Sequence, residues 1–256
     1  MNFLNKTTVI ACAVTLLSGC DNRPDKTLSP PADAKWVDVT FRVPEGITLQ
    51  PAGLLYRSLQ CKSVRYNSSN EPHDIPGYND IERPFGAPDG DNIRRLRVAV
   101  DGGGPCQWQL NSLMVNFRIA DDVPLAKGKE VIDTSYIFDF GDYGLSDGYG
   151  TGRAKAFSGE LIELKTDFFP MVVHHIDNTV DLSLFGGNTA YEQWRRRYKT
   201  ADVERINIDP QIHINKVVLL TPPAIRLGNL TATYPDGSRE DINHIFPDYD
   251  KLLSMK

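Results

Sequence analysis

Leu96-Arg97-Val98-Ala99-Val100-Asp101-Gly102-Gly103-Gly104-Pro105-Cys106-Gln107-Trp108-Gln109-Leu110 is the stretch on which the fold class turns. Leu96, Val98 and Val100 alternate with Arg95, Arg97 and Ala99, and a side-chain period of two puts the first set on one face of a strand. Asp101-Gly102-Gly103-Gly104-Pro105 reads as a turn, because Gly and Pro supply the backbone angles a reversal needs. The chain then returns through Cys106, Trp108 and Leu110, with Gln107 and Gln109 facing out. The two runs read as a hairpin. After Asn111-Ser112 the apolar phase moves to Leu113, Val115, Phe117 and Ile119, which predicts a bulge or bend near residue 111.

The same period extends outward. Val37, Val39, Phe41 and Val43 alternate with Asp38, Thr40 and Arg42. Later β-prone runs cover Val131–Phe140, Glu160–Thr166, Met171–Ile176, Val180–Phe185, Ile206–Ile208, Lys216–Thr221 and Leu227–Tyr234. Pro235-Asp236-Gly237-Ser238 is a further turn. About ten short strands with frequent Gly and Pro punctuation predict a mainly β chain. The architecture is a β-sandwich-like domain over 36–256, or two small β domains divided near 121–130. One short surface helix is predicted near 189–199. Thr189 and Glu192 have capping-box spacing, and Tyr191, Trp194 and Tyr198 make one apolar stripe. Arg195, Arg196, Arg197 and Lys199 fill the rest. They are either a solvated face or a basic patch for lipid headgroups or an acidic partner.

Composition narrows the function classes. Of the 256 residues, 41% are hydrophobic and 24% charged, which excludes a disordered chain. A net charge of -5 gives no basic surface to hold nucleic acid.

Lys6 followed by the apolar run Val9–Leu17 has the form of a secretory signal too short to span a bilayer. It ends in Leu17-Ser18-Gly19-Cys20, which resembles the lipobox of bacterial lipoproteins. That resemblance implies cleavage before Cys20, acylation of Cys20 and a lipid-anchored, periplasm-facing chain. Asp21 resembles the inner-membrane retention signal of enteric lipoproteins; in other lineages the outer membrane stays open. Residues 21–35 carry three prolines and little apolar surface, and read as a flexible tether.

Of four cysteines, Cys12 leaves with the signal and Cys20 takes the lipid. Cys61 and Cys106 remain in an oxidising compartment, where a disulfide is expected. Catalytic and metal motifs are weak. Gly144-Leu145-Ser146-Asp147-Gly148 matches a nucleophile elbow, but Tyr149-Gly150-Thr151-Gly152 follows where a helix is required. Asp139, Asp142 and Asp147 lack calcium-loop spacing. His174 and His175 point to opposite faces of a strand, and His73, His213 and His244 lie apart. The expectation is a non-enzyme without metal or cofactor.

Cys61-Lys62-Ser63-Val64-Arg65-Tyr66, Gly77-Tyr78 and Val98–Trp108, together with the lipobox, resemble enterobacterial lipoproteins that accompany phospholipase effectors of type VI secretion. The resemblance extends over residues 55–120. It implies an immunity protein that binds a cognate phospholipase effector and blocks it. The alternative is a general envelope lipoprotein that binds a glycan or an assembly partner. The exposed basic residues Arg195, Arg196, Arg197 and Lys199 are the partner-binding candidates on chemical grounds.

Overall fold

The computed structural model describes residues 24–141, 154–200, 202–223 and 228–256, and the fold is mainly β. Among the described residues the strands form three sheets. The smallest runs in the spatial order Leu161–Leu164, Arg205–Ile208, Trp36–Arg42 and Ile93–Ala99. In Trp36–Arg42 the side chains of Val37, Val39 and Phe41 are buried while Asp38 and Arg42 face water, as the alternation requires. The largest sheet runs Lys155–Ala156, Arg197–Lys199, Thr134–Asp139, Trp108–Ile119, Ala52–Tyr66 and Pro72–Arg83, with Ile47–Leu49 and Asp101–Gly103 also paired to Trp108–Ile119. The third runs Arg239–Ile242, Leu230–Thr233, Val218–Thr221, Asp167–His174, Val180–Phe185 and Glu130–Val131, with Gln211–Ile212 added alongside Asp167–His174.

The three sheets share one core in a β-sandwich-like arrangement. Phe41, Phe117 and Phe168 come one from each sheet, and their rings meet at 5.2 Å and 5.3 Å. Tyr56 of the largest sheet donates its hydroxyl to the Ala99 carbonyl of the smallest at 2.7 Å. Burial pushes that phenol up to about 12. The main core cluster draws on residues from both sides of 121–130. A second cluster, including Phe169, Phe185, Tyr234, Tyr249 and Leu252, sits beneath a C-terminal helix, Tyr249–Leu253. The Asp248 carboxylate caps that helix by accepting from the Lys251 amide at 3.0 Å.

The predicted bulge is present. Leu55 lies opposite Ser112 and Tyr56 opposite Leu110, which leaves Asn111 as the extra residue. Leu110 and Leu113 therefore both point inward, and the phase switch in the sequence is explained. The hairpin before it is divided between sheets. Leu96 and Val98 lie in a strand paired with Trp36–Arg42, whereas Asp101–Gly103 pairs back onto Trp108 and Gln109. Val100 is the crossing point: its amide bonds Lys35 and its carbonyl accepts from Leu110.

Two further expectations are corrected. Segment 189–199 forms no α-helix: it makes a 3-10 turn at Glu192–Trp194 and then the strand Arg197–Lys199. The strand wins because Thr134–Asp139 offers it a partner; the Ile137 amide bonds the Arg196 carbonyl, and the Thr200 amide bonds that of Asp139. Tertiary pairing outweighs the weak helix propensity of a short segment. Residues 24–35 are also no free tether. Ser29 bridges to Gly103, and Leu28 packs against the main core.

The longest strands, Ala52–Tyr66 and Pro72–Arg83, form an arm that the sequence reading missed. Their pairing breaks between Ser58 and Lys62 and resumes as Lys62 opposite Pro76. The Ser58 hydroxyl organises this break, accepting from the Gln60 and Cys61 amides and donating to the Cys106 carbonyl. Cys61 is thereby turned toward Cys106, and the two form the expected disulfide. Opposite the break a Cβ on Gly77 would lie 1.9 Å from the Cys61 carbonyl oxygen, so only glycine fits.

Candidate interaction surface

The Arg195–Lys199 segment, placed beside Thr134–Asp139, builds one wall of a groove. Strand alternation sorts its side chains: Arg197 is buried, Tyr198 half-buried and Lys199 exposed. Arg197 belongs to the interior, not to an exposed basic face. Its Nε donates to the Asp139 carboxylate at 2.6 Å, and the other oxygen of that carboxylate accepts from Ser112 at 2.9 Å. Asn111, the bulge residue, donates to Ser112 in turn. Asp139, weighed as a calcium ligand, is thus committed to a buried ion pair; Asp142 and Asp147 lie outside the described residues.

Arg195 and Arg196 do reach the groove, a cavity of about 410 Å³. Its apolar walls are Ile132, Ile137, Met171, Leu184, Phe185 and Phe246. Arg196 donates to the Gly186 carbonyl at 2.8 Å, and its guanidinium lies 5.5 Å from the Phe168 ring centre. Burial lowers its pKa, against the opposing pull of Tyr136, Tyr249 and Tyr198. Among the described residues no carboxylate forms an ion pair with Arg196, and the Nε atoms of Arg195 and Arg196 are buried without a hydrogen-bond partner. A buried guanidinium lacking a carboxylate favours an incoming anion.

Past Phe246 the groove continues into a second depression of about 470 Å³ lined by Tyr191, Trp194, His244 and Tyr249. Trp194 meets Tyr191 at 5.5 Å and Tyr249 at 5.3 Å, both edge to face. Gly187, at φ 89°, lets the indole lie against the backbone; a Cβ there would sit 2.6 Å from Trp194 Cγ. The predicted aromatic stripe is thus divided: Trp194 packs inward, and Tyr191 is 56% exposed on the rim. Ile132 on the groove wall is exposed, and so is Ile245, the chain neighbour of the lining residues His244 and Phe246. The sequence reading missed Phe246 and Ile245, although Asp248 before Tyr249–Leu253 is a helix-start signal.

The remaining candidates scatter. His175 pairs with Asp181 at 2.8 Å, and His213 with Asp167 at 2.7 Å. Lys256 holds the other Asp167 oxygen at 3.0 Å. Among the described residues no cluster of three His, Cys, Asp or Glu could hold a metal ion, and no helix is long and apolar enough to cross a membrane. Cys20, Asp21 and Ser146 lie outside the described residues. No family model matches this chain, and no match was found among curated proteins or solved structures.

Proposed function

We propose that this chain is a lipid-anchored, periplasm-facing immunity protein that binds and inhibits a type VI secretion phospholipase effector. Acylation at Cys20 holds it to the membrane, Asp21 keeps it at the inner one, and inhibition works by occupancy without chemistry of its own. The observation that carries the binding part is the groove. Among the described residues Arg195 and Arg196 form no ion pair with a carboxylate; they stand beside apolar walls, with Asp133 also on the lining, and Tyr191 and Trp194 lie next to them. Arg, Tyr and Trp are the residues that dominate interface energetics when set among well-packed neighbours. The chemistry of the groove suits an acidic side chain of the effector, flanked by apolar ones.

The test is co-expression with a phospholipase encoded beside its gene, followed by size-exclusion chromatography and calorimetry. A stable complex is expected, weakened about tenfold or more by Tyr191→Ala or Arg195→Ala, as for interface anchors. Absence of any complex with the neighbouring phospholipase would transfer the reading to a general envelope lipoprotein that binds a glycan or an assembly partner.

A further inference from the structure

The segment before Trp36 is seated in a place built for it. Ser29 donates its amide to the Gly102 carbonyl at 2.9 Å and accepts from the Gly104 amide at 3.3 Å. A Cβ on Gly103 or Gly104 would lie 2.2 Å from the carbonyl oxygen of Ser29 or Thr27 respectively, and both glycines have positive φ. The Gly102–Gly104 turn is therefore shaped to admit another backbone. Farther toward the N-terminus, the Trp108 indole donates to the Asp25 carbonyl at 3.0 Å, and the buried Asn79 amide to that of Lys26 at 2.8 Å. The strap ends against the base of the Ala52–Tyr66/Pro72–Arg83 arm, with Lys26 Nζ 5.8 Å from the Tyr78 ring centre.

That arm carries an uncovered apolar surface. Leu59, Val64, Tyr66 and Tyr78 are 77%, 57%, 65% and 43% exposed. Val64 and Tyr66 share one strand face with Pro72 and Pro76, and with Lys62 and Asp74, the latter directly opposite Val64. Nearby charges balance: Lys26, Lys62 and Arg65 stand against Asp25, Glu71 and Asp74, and Lys62 approaches Asp74 at 3.8 Å. An aromatic, aliphatic and charge-balanced tip suits the bilayer interface better than a strongly charged one would.

We infer that residues 25–31 are a strap that fixes the arm at the membrane, where Leu59, Val64, Tyr66 and Tyr78 insert into the lipid interface. The inference rests on the anchoring reading at Cys20. Five residue steps separate Cys20 from Asp25, a reach of at most about 17 Å. The outer half of the arm, Lys62–Tyr66, spans about 13 Å over four residue steps, within that reach, so it can touch the surface that holds the acyl chains. Arg197–Lys199 and Pro72–Arg83 lie four strand positions apart in the same sheet, about 19 Å at the usual spacing. The groove therefore stays clear of the surface that the arm occupies.

The experiment uses the full acylated chain in vesicles of phosphatidylethanolamine and phosphatidylglycerol, with lipids brominated near the headgroup as quenchers. Tyr66→Trp should lose at least half of its emission in excess of wild type, and Ile245→Trp, beside the groove residue Phe246 in the chain, almost none. Leu28→Glu, which unseats the strap, should bring the Tyr66→Trp signal down to the Ile245→Trp level. A second variant leaves the core untouched by inserting about 20 Gly/Ser residues between Asn22 and Arg23, a spacer of roughly 25 Å, and should lower quenching likewise. Mass spectrometry of the N-terminal peptide is read on the same sample. Acylated protein with equal quenching at both positions overturns the arm contact alone. Protein without acyl mass overturns the anchoring reading and the inference with it. Quenching unaffected by both strap variants overturns the strap.

Discussion

Arg197→Met isolates the difference between a surface helix and an interior strand. Arg197 is 8% exposed and Asp139 3%, with Nε and the carboxylate at 2.6 Å. Removing the guanidinium leaves the Asp139 carboxylate buried with the Ser112 hydroxyl still donating to it. Breaking a buried pair in this way costs about 3–5 kcal/mol, because the surviving charge is uncompensated. For a chain of this size each kcal/mol moves Tm by about 2–4 °C, so a fall of at least 6 °C is expected. Urea unfolding of the soluble mature chain, followed by circular dichroism, gives the free energy directly. The double variant Arg197→Met/Asp139→Leu should recover most of the loss, since it removes the stranded charge along with its partner. An arginine on a solvated helix face would cost no more than about 0.5 kcal/mol. A single-variant loss below about 1 kcal/mol, or no recovery in the double variant, refutes the buried-network account.

Gly77→Ala should destabilise strongly and slow oxidation of the Cys61–Cys106 pair, because the new methyl meets the Cys61 carbonyl; refolding yield under a glutathione buffer reads it. Replacing both cysteines by Ala should cost about 4 kcal/mol, the loop-closure value for a separation of 45 residues, measured by urea titration. Burial by itself would raise the Asp167 carboxyl, but hydrogen bonds from His213 and Lys256 outweigh it and hold the pKa below the usual carboxylate range. That contribution is fully present above the unfolded-state pKa of about 3.9 and is lost as pH falls through the lower folded value. Acid titration of Asp167→Asn should therefore lack the part of the stability slope that wild type shows below about pH 4.

How much of this was legible in the sequence follows from the physics of each element. The alternation at Val37–Phe41 and the phase switch at Asn111 were readable because one buried face leaves a period-two record. The disulfide was readable because Cys61 and Cys106 are the two cysteines left once Cys12 and Cys20 are read as parts of a signal and lipobox. The arm was not, because Pro72, Pro76 and Gly77 interrupt the pattern, and an edge strand tolerates prolines that a central one would reject. The strand at Arg197–Lys199 was hidden for a different reason: its pairing partner lies some sixty residues earlier, and local spacing favoured a helix. The groove combines Arg195 and Arg196, which chemistry singled out, with Ile132 and Phe246, which only the fold brings together. The strap was misread as a tether because its bonds run through backbone carbonyls at Asp25, Lys26 and Ser29, on which composition is silent.

Titration of a phospholipase encoded beside the gene of this chain, as the proposal requires, with the chain from Arg23 onward tests the proposed inhibition most directly. Occupancy predicts that phospholipid hydrolysis falls linearly to near zero at one equivalent, and that Tyr191→Ala and Arg195→Ala need an excess to reach the same endpoint. Full hydrolysis in the presence of excess wild-type chain, with both proteins folded, would contradict it.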